Sequence, residues 1–258
     1  MIPLVTKESF ESVYSSDFQA KFQSSVYSRW FPLYPSEELS GLIADITGDG
    51  HLQGLPKWRF DYTSASKQEL KRFENSLFKT FGIKGKARKC STNKFGETFN
   101  YGVNCKPLSR VLFLCGAPAG NKTNTAFKVP GWISADKKLF SAYCRRLFSC
   151  EACVEVKEKS ITIEMYKRED LASSHKDYMQ SLSDLLQKHF NIKTTRVFGY
   201  SRRNKRKDGT ISKPLKFKIK NKDSIIKFYN EIGFDDKQKQ RKLKSIISTW
   251  VGKQPRAA

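Results

Sequence analysis

The chain is short of acid, of histidine and of long apolar runs, and each shortage removes a class of function. Against 48 Lys and Arg stand 25 Asp and Glu, a formal charge of +23. A surplus of that size repels itself, and nucleic acid is the polyanion that best accounts for it. No apolar run reaches the roughly 18 residues of a membrane helix, and no basic helix has a clean apolar face, so no membrane partner is expected. The opening "MIPLVTKESF" lacks the basic-then-apolar pattern of a secretory leader. Six cysteines are scattered, and Cys150-x-x-Cys153 has no second pair or histidine at zinc spacing. Buried free thiols in a reducing, intracellular compartment (cytoplasm, nucleoid or organelle) are therefore expected. With only His51, His175 and His189, and no Gly-x-Ser-x-Gly elbow, acyl transfer has no machinery.

What is present is a pattern given twice. The 258 residues are 38% hydrophobic and include 19 phenylalanines, enough for a folded core. Residues 1–35 are aromatic and serine-rich without a clear period, an irregular or partly helical extension. A helix over 36–48 stops at a Gly-Asp-Gly turn, and strands follow near 51–55 and 57–63. In "SKQELKRFENSLFKTFG", Leu70, Phe73, Leu77, Phe78 and Phe81 recur at helical spacing and Gly82 ends the helix. Strands at 84–92 and 97–105 and the helix "PLSRVLFLCG" complete the first unit. After a Gly/Pro/Asn-rich connector, a helix at 135–149, strands at 151–157 and 160–166, and the amphipathic "SSHKDYMQSLSDLLQKHF" repeat the order. Strands at 194–200 and 214–220 and helices at 222–232 and 235–249 finish it. The predicted class is α+β, two αββαββα halves with antiparallel sheets. The expected divisions are an extension 1–35, halves 36–116 and 135–250, a linker 117–134 and a tail 251–258.

The strands alternate, and their polar side carries base-reading residue types. Lys57, Arg59, Asp61 and Thr63 oppose Trp58, Phe60 and Tyr62; Thr98, Asn100 and Asn104 oppose Phe99, Tyr101 and Val103. Thr162, Glu164 and Tyr166 oppose Ile161, Ile163 and Met165, and Lys216, Lys218 and Lys220 oppose Leu215, Phe217 and Ile219. A half-exposed sheet alternates in the same way, but a mere solvent face rarely combines Lys and Arg with Asn and Asp in this proportion. Lys86 and Arg88 extend the first set. The segment 199–222 holds ten basic residues, Arg202 and Arg203 among them, and one acid, Asp208, a natural phosphate clamp, and Arg196 just before it is a further DNA-binding candidate.

Two familiar motifs fail on spacing. Asp45-x-Thr47-x-Asp49-Gly50 imitates a calcium loop, but the twelfth position, which needs a bidentate Glu, is Pro56. "GAPAGNKT" imitates a phosphate loop, but Asn121 precedes Lys122 where Gly is required. Asp49 gains meaning from the repeat. In "AYCRRLFSCEACVEV", Glu151 occupies the same place, where a helix ends and a strand begins. Helices packed about a pseudo-two-fold axis would bring the two acids together, and paired carboxylates favour divalent cations.

The two segments "LIADITGDGHL" and "CRRLFSCEACV", the connector "GAPAGNKTNTAFKVPGWI" and the closing "KFYNEIGFDDKQKQRKL" together resemble a single-chain LAGLIDADG homing endonuclease over about residues 36–250. The resemblance implies saddle-shaped sheets packed through the two motif helices, and a monomer that cuts both strands of a long double-stranded DNA target across the minor groove. It implies Asp49 and Glu151 as metal ligands for two or three Mg²⁺, with Mn²⁺ as a substitute and Ca²⁺ supporting binding without cleavage. It further implies basic residues near the fourth strands, by position Lys106 and Lys222 with Lys220 as a rival. Asp45, Arg146 and Ala152 depart from the family pattern, in helix packing rather than in ligands. The absence of a His-Asn dipeptide disfavours an intein. The alternatives are a maturase that binds its own intron RNA and a silent DNA-binding protein on the same fold.

Overall fold

The computed structural model describes residues 2–93, 96–199, 203–206 and 208–251. It divides into two units, Met1–Thr125 with Pro130–Tyr143, and Ala126–Val129 with Cys144–Ala258.

In the first unit, helices α1 (Lys7–Glu11) and α2 (Asp17–Val26) precede α3 (Glu37–Thr47), capped by Ser36. Strands β1 (Gly50–Gln53) and β2 (Arg59–Ser64), helix α4 (Lys67–Phe81), strands β3 (Lys86–Asn93) and β4 (Gly96–Val103), and helix α5 (Lys106–Leu114) follow. The sheet order is β1-β2-β4-β3, antiparallel throughout. Helix α4 is the amphipathic segment read from the sequence, and its Phe73 stacks on Tyr62 at 4.7 Å and meets Tyr101 edge-on at 5.9 Å. These contacts put the even-numbered aromatics of β2 under α4 and leave Arg59, Asp61 and Thr63 on the other side.

Helix α3 is buried along nearly its whole length, Leu39 to Thr47. Asp45, an acid in that apolar setting, is 0% exposed and accepts the fork of Arg72 on α4 at 2.7 and 2.8 Å. The pairing satisfies both carboxylate oxygens, which is the condition under which a charge can be buried. The turn after α3 depends on Gly50: a Cβ there would lie 2.7 Å from the Ile46 Cα and 3.2 Å from the Asp61 carbonyl oxygen.

The extension is folded. Val5 bridges Leu33, Phe10 and Trp30 are buried, and the Trp30 indole donates to the Phe81 carbonyl at 2.9 Å, closing the end of α4.

The short helix α6 (Gly131–Ser134) and the start of α7 (Lys137–Glu151) belong to the first unit, where Ser40 Oγ donates to the Leu139 carbonyl at 2.7 Å. The rest of α7, strands β5 (Ala152–Glu155) and β6 (Ser160–Arg168), helix α8 (Ala172–Phe190), strands β7 (Phe198–Gly199), β8 (Asn204–Lys205) and β9 (Ile211–Ile219), and helices α9 (Lys222–Glu231) and α10 (Lys237–Val251) make the second unit. Its sheet runs β5-β6-β9-β7, with β8 also on β9. Ile161, Ile163, Phe217 and Ile219 of this sheet are fully buried, as are Met179, Leu182 and Leu186 of α8 and Phe228 of α9.

One expected strand is much shorter than the pattern suggests. Of 194–200, only Phe198–Gly199 pairs as a strand. The hydroxyls of Thr194 and Thr195 donate to the Thr195 and Arg196 carbonyls, and Thr195 Oγ1 also accepts from Lys218 N. Side-chain bonds of this kind displace a regular ladder.

Candidate nucleic-acid interface

Strand register collects the polar residues of the first sheet on one face. Thr63 lies opposite Asn100, Asn100 opposite Arg88, Asp61 opposite Gly102 and Lys86 opposite Gly102 from the other side. His51 and Gln53 continue this face opposite Asp61 and Arg59. Arg59 Nε donates to Gln53 Oε1 at 2.9 Å, and Thr98 shares a hydroxyl bond with Ser91 at 2.7 Å. Lys57 and Asn104 lie just outside the strands and are exposed.

The second sheet gathers Thr162 opposite Lys218, Glu164 opposite Lys216 and Tyr166 opposite Pro214. Its lysines already hold partners: Lys216 pairs with Glu164 at 3.4 Å, and Lys218 with Glu158 at 2.8 Å and Glu155 at 3.6 Å. The hydrogen bond from Lys218 holds the Glu158 carboxyl below its ordinary range, and Glu158 in turn raises the Lys218 ammonium. Phosphates engaging this face would compete with carboxylates for the same ammoniums. Arg196, Arg203 and Lys220 are exposed, Arg203 on Glu169 at 2.9 Å. Arg202 lies outside the described residues.

The two acids of the motifs occupy equivalent local positions. Asp49 is exposed between α3 and β1, its carbonyl accepting from Thr63 N at 3.3 Å. Glu151 is half-buried as the last residue of α7, and β5 starts at the next residue.

A lysine missed from the sequence sits at each of these helix ends. The Lys122 ammonium donates to the carbonyls of Ile46 at 3.1 Å, Thr47 at 3.0 Å and Gly48. Lys239, in the first turn of α10, donates to the Ser149 carbonyl at 2.5 Å and the Cys150 carbonyl at 3.3 Å. Each cation satisfies terminal carbonyls and offsets the negative end of the helix dipole. Lys122 comes from the connector and Lys239 from the last helix, so no local motif announces either; the residue before each acid is a carbonyl that only tertiary folding supplies with an amine. Lys106 and Lys222, by contrast, are exposed first residues of α5 and α9.

Arg146, one of the departures from the family pattern, pairs with Asp235 at 2.5 Å. The neighbouring Arg145 donates to the Ile232 carbonyl at 2.7 Å, and Ser149 Oγ accepts from Asp235 N at 2.9 Å. The end of α7 is thus tied to the segment between α9 and α10.

Among the described residues, no three His, Cys, Asp or Glu side chains converge as a metal cage. A cation held by the motif acids would complete its shell with water and phosphate oxygens, as Mg²⁺ commonly does. No described helix is long and apolar enough to cross a membrane.

Helices and antiparallel sheets in this order define a two-domain α+β fold of the LAGLIDADG type. The chain is similar to full-length DUF199/WhiA from Thermatoga maritima (TM-score 0.53, 17% identity, covering 87% of this chain and 64% of that one). It is also similar to the homing endonuclease I-WcaI bound to its DNA recognition sequence (TM-score 0.51, 14% identity, 86% of this chain and 92% of that one). The N-terminal LAGLIDADG domain of DUF199/WhiA aligns with TM-score 0.51 and 15% identity over 93% of this chain and 98% of that one. At these identities the likeness is one of fold. By sequence, 224 residues are 28% identical to a glutamine–fructose-6-phosphate aminotransferase of Methanocaldococcus jannaschii. That match takes in 86% of this chain but spans only 18% of that relative's length. No protein-family model matches the chain.

Proposed function

We propose that the chain is a site-specific, metal-dependent double-strand DNA endonuclease of the homing type, intron-encoded or free-standing. The observation that carries the reading is a repeated local arrangement. In each unit a motif helix runs to an acid at the start of a strand, Asp49 or Glu151, with a lysine ammonium on its last carbonyls. In each unit the adjoining sheet face carries base-reading and basic side chains.

In this reading Asp49 and Glu151 hold two or three Mg²⁺ ions; bound Mg²⁺ lowers the pKa of a coordinated water and stabilises the leaving oxygen. Lys122 and Lys239 take the role of the basic residues beside the reacting phosphates, in preference to Lys106 and Lys222. The sheet faces bind double-stranded DNA, and the likeness to an endonuclease structure with its DNA target supports that partner. The aminotransferase activity of the archaeal relative is not carried over, because the shared stretch is 18% of that protein.

A second reading, DNA binding without cutting, is favoured by one feature. Lys122 already brings a cation to the Gly48 carbonyl next to Asp49, supplying part of the compensation a metal would supply. Incubation with a plasmid library of intron-insertion sites, in Mg²⁺ and then Ca²⁺, separates the two. Cutting at one site in Mg²⁺ is expected, with Asp49→Asn and Glu151→Gln lowering it at least about hundredfold while duplex affinity stays within a few-fold, as expected where electrostatic stabilisation is lost. Tight binding without cutting in Mg²⁺ or Mn²⁺ would establish the second reading instead.

A further inference from the structure

The extension reaches the first sheet through one stack of side chains, at the turn between β1 and β2. That turn is tight. The Gly54 carbonyl accepts from Lys57 N at 3.0 Å and from Trp58 N at 3.1 Å, and the Arg59–Gln53 bond at 2.9 Å closes its neck. Trp58 has a φ of 43°, in the left-handed region that a bulky residue adopts only where surrounding packing imposes it. Its side chain is 5% exposed, whereas Lys57 and Arg59 on either side are exposed. Fixing the indole therefore fixes the backbone from which both cations project.

The groups that fix it come from α5 and, beyond α5, from the extension. Phe113 meets the indole edge-on at 5.7 Å, and the Arg110 guanidinium lies over its ring, 4.9 Å from the centroid. The same guanidinium lies over the ring of Tyr14, between α1 and α2, at 4.1 Å. A cation over an aromatic face is attracted by the ring's quadrupole, so both contacts are favourable. Tyr14 in turn meets the fully buried Phe10 edge-on at 5.2 Å. Phe10, Tyr14, Arg110 and Trp58 thus form a continuous path from the buried part of the extension to the turn.

We propose that the extension is a brace for DNA binding: Tyr14, acting through Arg110 and Trp58, is a positioning residue that holds Lys57 and Arg59 ready for phosphates of the target. The proposal rests on the DNA reading above. A cation held in place before binding loses less freedom on meeting a phosphate, so the brace raises affinity without itself touching DNA.

The test is affinity and its salt dependence, measured in Ca²⁺ on a duplex selected from a randomised pool. Tyr14→Leu should weaken binding about tenfold and lower the log–log salt slope by about one, the signature of a lost phosphate contact. Tyr14→Phe keeps the ring face and should bind as the wild type does. Arg110→Lys keeps the charge but loses the stacking plane, and should match Tyr14→Leu; it decides the matter if Tyr14→Leu does not fold. Lys57→Ala with Arg59→Ala should lower the slope by about two, and adding Tyr14→Leu to that pair should change nothing further. A folded Tyr14→Leu protein that binds as the wild type does, or that loses as much affinity when Lys57 and Arg59 are already gone, would overturn the brace and leave DNA binding intact. An unchanged slope on removing Lys57 and Arg59 would overturn it at the turn's own contact with DNA. A pool from which no duplex is retained would overturn the DNA reading, and the brace with it.

Discussion

His175 shows how much one residue's role depends on what folds over it. The ring is 1% exposed in α8, its Nε2 lies 3.0 Å from the Met165 carbonyl, and Nδ1 has no partner. Its neighbours are the Tyr178 ring and, as the nearby cation, Lys167, whose own ammonium lies 3.6 Å above the Phe127 ring. Burial pushes the imidazole pKa down to about 4, and Lys167 pushes the same way. The unfolded chain takes up this proton near pH 6.5 and the native state only near 4, so stability is fully present above about 6.5 and falls as the pH drops between the two values. The loss is on the order of 3 kcal/mol at its full extent. Thermal melts from pH 7.5 to 4.5 should therefore show a steeper acid decline for the native protein than for His175→Gln; parallel curves would mean the ring is solvated. From the sequence His175 was only one of three histidines too few for a hydrolase. Asp45 was likewise an anomaly in an apolar helix, and it is the Arg72 fork, 27 residues away, that resolves it.

At the scale of elements, periodicity served well where one face is buried against one neighbour. Helix α4, ended by Gly82, and the paired strands β6 and β9 occupy nearly the expected spans, because their apolar side is continuous and their polar side open. It served badly for the extension, whose contacts are irregular, partly within itself (Val5 with Leu33, Phe10 with Phe31) and partly with the distant end of α4. Trp30 is the anchor there, 4% exposed, stacked on Tyr27 at 4.1 Å and bonded to the Phe81 carbonyl. Truncating it removes a large buried ring and strips the end of α4 of a donor. Trp30→Ala should cost about 3–5 kcal/mol in urea unfolding; a loss under about 1 kcal/mol would show that the extension is only loosely attached.

For the whole molecule, the +23 charge is the property most directly tied to a partner. If the sheet faces and the basic segment 199–222 neutralise about 6–10 phosphates, duplex affinity should fall about 10³–10⁵-fold between 50 and 200 mM salt. A slope near zero in a log–log plot would contradict a phosphate-dominated interface. That charge, the doubled αββαββα order and the acids Asp49 and Glu151 follow from local sequence alone, since composition is additive and an amphipathic period is visible wherever one face is buried. The helix-end lysines Lys122 and Lys239 and the Asp45–Arg72 pair were decided only by the tertiary structure. Each joins groups far apart in the chain, and which donor meets which acceptor depends on strand register and on the packing of helices, neither of which a local pattern contains.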